Sequence, residues 1–340
     1  MPTPAKVYID PRSRILYASF YIQGLYEVFG KQQVSFSAHP FTALDKDNEA
    51  FSFEHYFAFV IDENGTEKRY IVDFCDPPDI SKNAYQWCHA YAKINFNPAE
   101  TAPQFLEKLV HIPPSFGIRI WSAPKTALMA ITNYIRCKKA KFQFPKKYFK
   151  DYYHQHKRNV LADYQNTLHS NSNKKPYVFM IASLWKDENC VAETNERRHQ
   201  FMRICKQLPI IFEGGFWATP EHPQYKTYKE DCFDTPYPTT AYIAKTKASY
   251  MVFNTPAVHF CHGWKLGEYL AMGKAIITTP LYNKLPKALP CIEINDEASL
   301  KKAIQTLIES TATKNQLEKE ATEYYLNYVQ PKAVIAKLVL

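Results

Sequence analysis

Apolar and polar positions along the chain alternate between two periods. Lys6–Ile9 is a short apolar run ending at Asp10-Pro11, and Ile15–Phe29 carries a helical pattern closed by Gly30. Gln33–Ser37 reads as a second strand, and residues 53–61 and 69–75 as two strands turning at Asp62-Glu63-Asn64-Gly65, a hairpin signal. Tyr91–Asn95 and Gly117–Trp121 read as further strands, with a helix face between them at Phe105, Leu106, Leu109 and Val110. The polar stretch Ser170–Lys175 interrupts the alternation and ends at Pro176. It then resumes: strand Tyr177–Ala182, helix Asn195–Leu208, strand Ile210–Phe212 closing on Glu213-Gly214-Gly215, a helix starting at Thr239, strand Tyr250–Phe253, strand Ala275–Thr278 and an amphipathic helix Ala298–Ser310. A last helical region runs from Lys314 and breaks at Pro331.

Strands alternating with helices on both sides of one linker predict an α/β chain of two Rossmann-like, doubly wound parallel-sheet domains facing a cleft. The expected boundaries are 1–168, a linker at 169–175, a second domain at 176–310, and C-terminal helices at 311–340 that cross back to the first domain. A length of 340 residues suits two cores. Neither a G-x-G-x-x-G after the first strand nor a P-loop lysine motif is present.

Glycine use singles out one stretch. The chain has nine glycines, and Gly214, Gly215, Gly263, Gly267 and Gly273 crowd one part of the second half. In the segment Asn254–Pro280, a loop with His259, His262 and Gly263 leads into a helix with Lys265 and Glu268. A helix start offers N–H groups and a positive dipole end to an anion, and Lys265 adds a charge there. Glu268 can accept from the two vicinal hydroxyls of a ribose. Cation, helix start and carboxylate together suit a sugar–diphosphate ligand. An ordinary helix–strand unit with Glu268 and Lys265 on a solvated face is the alternative.

The string KLGEYLAMGKAIITTP resembles the donor-binding helix of nucleotide-sugar glycosyltransferases of the GT-B type. The resemblance is best over 176–290. It implies donor binding in the second domain and acceptor binding in the first. It also implies ribose binding by Glu268, and an Arg and a Lys on the donor diphosphate from the loop after the first strand of the second half. Lys186 with Arg197 or Arg198 are the candidates there. Gly214 and Gly215 are expected to shape the pocket around a base, and His262 and Gly263 to border the donor. Many retaining members carry a second Glu eight residues before the first, where this chain has Phe260. The reaction expected is transfer of a sugar from a nucleotide-sugar co-substrate to a hydroxyl of a glycan or lipid-linked acceptor, without a further cofactor. The alternatives are a nucleotide-sugar epimerase or hydrolase on the same fold, and a non-catalytic nucleotide- or sugar-binding protein. An inverting reaction needs a base on the acceptor side, and Asp10 and His39 are its candidates. Asp45-Lys46-Asp47 matches a metal-binding string by chance, and no metal is expected.

Charge adds a second theme. The net charge of +9 favours anionic partners. The segment Lys125–Arg158 holds ten basic residues and one acid, Asp151, interleaved with aromatics. Such a segment fits an anionic membrane surface, a solvated helix pair or, less well, nucleic acid. The N-terminal MPTPAKVYID lacks an export pattern, and the eight scattered cysteines read as reduced thiols. A cytoplasmic protein, peripheral on the inner face of the membrane, is the expectation.

Overall fold

A computed structural model describes residues 5–44, 55–138, 145–165, 175–186 and 193–339. Asp45-Lys46-Asp47 and most of the expected linker lie outside the described residues. The chain divides into two compact units. One comprises Met1–Leu161, Lys284–Pro286 and Tyr328–Leu340; the other comprises Ala162–Asn283 and Lys287–Asn327. The change of unit therefore falls ahead of the expected linker.

The N-terminal unit is built on a six-stranded sheet. Its strands are β1 (Lys6–Ile9), β2 (Val34–Phe36), β3 (Tyr56–Glu63), β4 (Thr66–Asp73), β5 (Ala90–Lys93) and β6 (Leu109–His111), in the order β2-β1-β3-β4-β5-β6. β1 runs parallel to β2, and β4, β5 and β6 are parallel to one another. β3 is antiparallel to both its neighbours, so the sheet is mixed rather than wholly parallel. The cause is local. Asn64 and Gly65 take positive φ values of 56° and 86°, as a tight hairpin turn requires. Phe59 stacks across this hairpin on Tyr70 at 4.9 Å.

Helix α1 (Ile15–Phe29) follows β1, and α2 (Lys82–Trp87) follows β4. Helices α3 (Ala123–Lys138) and α4 (Pro145–His156) pack as a pair beside α1. α1 lacks a cap of its own at Arg14. Asp151 of α4 supplies one, accepting from the Leu16 N–H at 2.9 Å, with Arg14 at 3.4 Å. Two expectations fail here. Residues 103–111 form a 3-10 turn and β6, not a helix, because Pro103 opens the turn and Leu109–His111 pair with β5. Gly117–Trp121 is no strand. Its backbone groups bond elsewhere: the Ile118 N–H donates to Ser19 Oγ, Gln155 Nε2 donates to the Ile118 carbonyl, and Arg158 donates to that of Gly117.

The C-terminal unit holds β7 (Tyr177–Ser183), β8 (Ile211–Trp217), β9 (Cys232–Phe233), β10 (Val252–Asn254), β11 (Ile276–Thr278) and β12 (Ile292–Glu293), with every recorded pairing parallel. Two three-stranded sheets, β7-β8-β9 and β10-β11-β12, meet along β7 and β10, where the Tyr250 N–H donates to the Tyr177 carbonyl at 2.6 Å. The sequence of strands thus reverses direction between β7 and β10. In an open parallel sheet that reversal opens a crevice at the carboxyl ends. Helices α5 (Thr194–Gln207), α6 (Thr239–Ala248), α7 (Trp264–Ala271), α8 (Glu297–Glu309) and α9 (Thr311–Tyr324) complete this unit. Its core joins sheet and helices, for instance where Phe201 of α5 stacks on Phe253 of β10 at 4.8 Å.

The final segment is shared. α9 belongs to the C-terminal unit, whereas α10 (Pro331–Val339) belongs to the N-terminal one. Pro331 ends the preceding π-turn and begins α10. α10 crosses α1 closely at Gly24, where an added Cβ would stand 2.4 Å from the Pro331 carbonyl oxygen. Among the described residues, no helix is long and apolar enough to cross a membrane.

Candidate functional site

The carboxyl edge of the C-terminal unit collects three charged side chains from two helices, α5 and α7. Arg198 comes from the second turn of α5, and its side chain crosses the switch point. Nε donates to Thr255 Oγ1 at 2.9 Å, just beyond β10, and Nη1 donates to the Ser183 carbonyl at 3.2 Å, at the end of β7. Lys265, in the first turn of α7, donates through Nζ to the Ile181 carbonyl of β7. Glu268 lies on the same helix, only 4% exposed, and accepts from the Tyr242 hydroxyl of α6 at 2.8 Å. The helical spacing of Lys265 and Glu268 puts both on one face of α7.

Burial sets the electrostatics. The Lys265 ammonium is pushed down to about 7 by burial first and by the Arg198 guanidinium second, with Glu268 acting in the other direction. The Tyr242 hydroxyl is raised well above its ordinary value by burial and by the Glu268 carboxylate. The cluster therefore has two cationic side chains and one carboxylate among the described residues. An incoming anion would relieve the mutual repulsion of Arg198 and Lys265 and favour the charged form of the lysine.

Two cavities open beside this cluster. One, of about 530 Å³, lies past the ends of β10, β11 and β12, with Arg197, Thr255, Phe260, Thr279, Tyr282 and Asn295 in its wall. The other, of about 460 Å³, lies past β7 and β8, between Ser183, Trp185 and Lys186 on one side and Trp217, Thr219 and His222 on the other. Arg198 joins the two, since Thr255 lines the first and Ser183 the second. Lys265 and Glu268 line neither cavity; the cluster reaches the walls through Arg198. In the first cavity, Phe260 adopts a left-handed φ of 58° after His259 at 53°, and its exposed ring meets Tyr282 at 4.9 Å. Two successive non-glycine residues in that region are strained, and such strain collects at binding sites.

The remaining expected residues fall as follows. Arg197 turns toward the first cavity, donating to Glu193 at 3.2 Å and to the Asn295 carbonyl at 2.9 Å. Arg197 and Arg198 thus serve different places, which the sequence left undivided. Lys186 is exposed in the wall of the second cavity. His262 is buried, and Gly263 is the N-cap of α7, with a φ of −72° that any residue adopts. Gly214 and Gly215 line neither of these two cavities. They sit inside β8 at φ values of 109° and 153°, where a Cβ would stand 2.0 Å from the Met180 oxygen and 2.1 Å from that of Asp231. Their role is to let β7 and the Asp231 backbone approach β8.

Asp10 and His39 belong to the N-terminal unit. Asp10 is fully buried, and both its oxygens accept from Arg12, at 3.0 and 3.1 Å. Arg12 in turn donates to the Phe41 and Leu44 carbonyls. That pairing makes Asp10 an anchor for the loop after β1. His39 is exposed at the start of a 3-10 turn and bordered by Pro40, with its backbone N–H on Ser37 Oγ at 3.4 Å.

Sequence reasoning missed Thr255, Tyr242, Asn195 and Tyr282. Asn195 holds Trp185, just past β7, with its side chain exchanging hydrogen bonds with the Trp185 backbone at 3.1 and 2.8 Å. A polar residue directly after a buried strand was the available signal for Thr255; for Tyr242 and Tyr282 the sequence gives none.

No protein-family model matches the chain, and no curated protein matches it. Among solved structures, the N-terminal domain of trehalose-6-phosphate phosphatase from Candida albicans is similar at 12% identity and a TM-score of 0.44, over 76% of this chain and 59% of that one. WaaG, a glycosyltransferase involved in lipopolysaccharide biosynthesis, is similar at 10% identity and a TM-score of 0.36, over 76% of this chain and 82% of its own. MnaA of S. aureus, solved with UDP, gives 10% identity and a TM-score of 0.36, over 75% and 66%. The chain spans less than two thirds of the first and the last of these.

Proposed function

We propose that the chain is a glycosyltransferase that moves a sugar from a nucleotide-sugar donor to a hydroxyl of a glycan or lipid-linked acceptor, with the donor held by the C-terminal unit. The observation that carries the reading is the cluster of Arg198, Lys265 and Glu268 at the switch point of a parallel sheet, beside cavities of about 530 and 460 Å³. Arg198 and Lys265 take the diphosphate, and the start of α7 adds its dipole. Glu268 takes the ribose hydroxyls, since a carboxylate accepts from several donors at once. Phe260 and Tyr282 give the neighbouring wall a flat apolar surface for a base or sugar ring. The leaving nucleotide keeps its charge neutralised by the two cations, which lowers the barrier to its departure.

The engagement of Asp10 by Arg12 favours a second reading in which no acceptor is activated: hydrolysis or epimerisation of the nucleotide sugar. Incubation of a radiolabelled donor with and without acceptors separates the two, because transfer yields a labelled acceptor and the alternative yields free or epimerised sugar. The site itself is tested by thermal shift with UDP, GDP, ADP and CDP. One diphosphate is expected to raise Tm, and Glu268→Gln, which keeps an acceptor for Tyr242, is expected to abolish most of that rise. Equal shifts in both proteins remove Glu268 from the site.

A further inference from the structure

The helix pair α3–α4 of the N-terminal unit carries two apolar faces where a surface helix pair needs one. The inner face is filled: Tyr148, Tyr152, Asn133, Cys137 and Gln155 are all buried, and the Tyr148 hydroxyl donates to the Pro11 carbonyl at 3.0 Å. The outer face is apolar as well. Leu128, Ile131 and Ile135 recur at i, i+3 and i+7 on α3 and are 59%, 54% and 59% exposed. Phe149 and Tyr153, one turn apart on α4, are 39% and 57% exposed. Between the helices lies a groove of about 410 Å³, whose wall includes Ala127, Ala130, Ile131, Phe149, Tyr153 and His156.

The rim of this face has one sign of charge. Lys125, Arg136, Lys146, Lys147, Lys150 and Lys157 are exposed around it. Lys157 also lies 5.3 Å from the Tyr153 ring. The one acid among the described residues of 123–158 is Asp151, which is buried and turned inward to Leu16 and Arg14. Exposed cations with no exposed carboxylate among the described residues of 123–158, set beside aliphatic side chains, match the layers of an anionic bilayer. The lysines reach phosphates, the rings sit at the interface, and the aliphatic stripe enters the acyl region. A nucleic acid would satisfy the cations and leave Leu128, Ile131 and Ile135 in water.

We propose that the α3–α4 face docks the protein peripherally on an anionic phospholipid bilayer. The proposal stands apart from the sugar-transfer reading and needs no donor for its test. Flotation of the full chain is measured with vesicles of phosphatidylcholine alone and with equimolar phosphatidylcholine and phosphatidylglycerol, at low and physiological salt. Binding is expected to the anionic vesicles, and at least about tenfold weaker to the neutral ones. Lys146→Glu with Lys150→Glu is expected to reduce anionic binding by about tenfold or more. Leu128→Ser with Ile131→Ser and Ile135→Ser is expected to leave only a salt-sensitive remnant. All five positions are exposed, and unchanged melting of each variant confirms intact folding. Equal binding to both vesicle types, or wild-type binding by both variants, overturns the proposal. So does retention on duplex DNA or RNA without vesicle binding, or a dimer abolished by the triple variant while vesicles are ignored.

Discussion

The carboxyl edges of the two sheets handle buried charge in opposite ways. In the N-terminal unit two buried cations among the described residues at that edge are each paired with a carboxylate. Arg12 is clasped by Asp10, and Lys93 lies 3.0 Å from Asp73, which also accepts from Tyr91. These pairs are complete within the chain and hold the loops after β1 and β4. In the C-terminal unit Arg198 donates to Thr255 Oγ1 and the Ser183 carbonyl, Lys265 donates to the Ile181 carbonyl, the two cations repel, and Glu268 is a carboxylate beside them. A self-neutralised edge is architecture. At the C-terminal edge two cations stand close enough for Arg198 to help push the Lys265 ammonium down, a repulsion that an anion would relieve.

The largest effect that would break this contrast is expected at Arg12. Arg12→Met leaves the Asp10 carboxylate buried without its partner and should destabilise the protein by about 3–5 kcal/mol in urea unfolding. Its effect on a diphosphate-induced thermal shift should be nil once the lower starting Tm is allowed for. A loss under about 1 kcal/mol would mean that Asp10 and Arg12 are not a structural pair, and Asp10 would return as a candidate base.

Asp151 sharpens the contrast from inside the N-terminal unit. Its carboxyl is raised to about 6, chiefly by burial, against the opposing pull of the Leu16 N–H and of Arg14. A folded-state value above the unfolded one means that the folded chain holds the proton longer. The native state therefore loses stability relative to the unfolded one as pH rises from about 4 to about 6, and the full penalty of about 2–3 kcal/mol stands at pH 7. Asp151→Asn keeps an acceptor for the α1 start and removes the titration. Its stability relative to wild type should improve by that amount between pH 4 and pH 7, measured by chemical denaturation. A flat difference would place Asp151 in water.

How much of this was legible beforehand differs by residue. Helix periodicity found α1, α5 and α8 because their apolar faces are read from one segment at a time. Glu268 and Lys265 stood out because the glycines and the α7–β11 string mark them locally. The separation of Arg198 from Arg197 was not readable: neighbours on a helix point in different directions, and which one meets Thr255 depends on β10, more than fifty residues away. The charge balance at the C-terminal edge was equally hidden, because it depends on which side chains distant segments bring together. Gly214 and Gly215 were ambiguous for a related reason. Glycine marks a turn or a close backbone approach with the same letter, and only the neighbouring strand decides between them.

The smallest expected effect discriminates best between architecture and site. Lys265 is pushed down to about 7, so the unfolded chain holds this proton well above the pH at which the folded chain releases it. Stability therefore rises with pH from about 7 toward 10, and the charged lysine costs the fold most below 7. Lys265→Met removes that cost and also the hydrogen bond to the Ile181 carbonyl, for a net gain of about 1 kcal/mol at pH 7 that fades toward pH 10. The same variant should bind the stabilising diphosphate about tenfold more weakly. In the wild type, that affinity should fall as pH rises through 7, because ligand binding and protonation of Lys265 favour each other. A purely structural lysine would give the opposite pair of results, with lower stability in the variant and a diphosphate affinity indifferent to both the substitution and the pH.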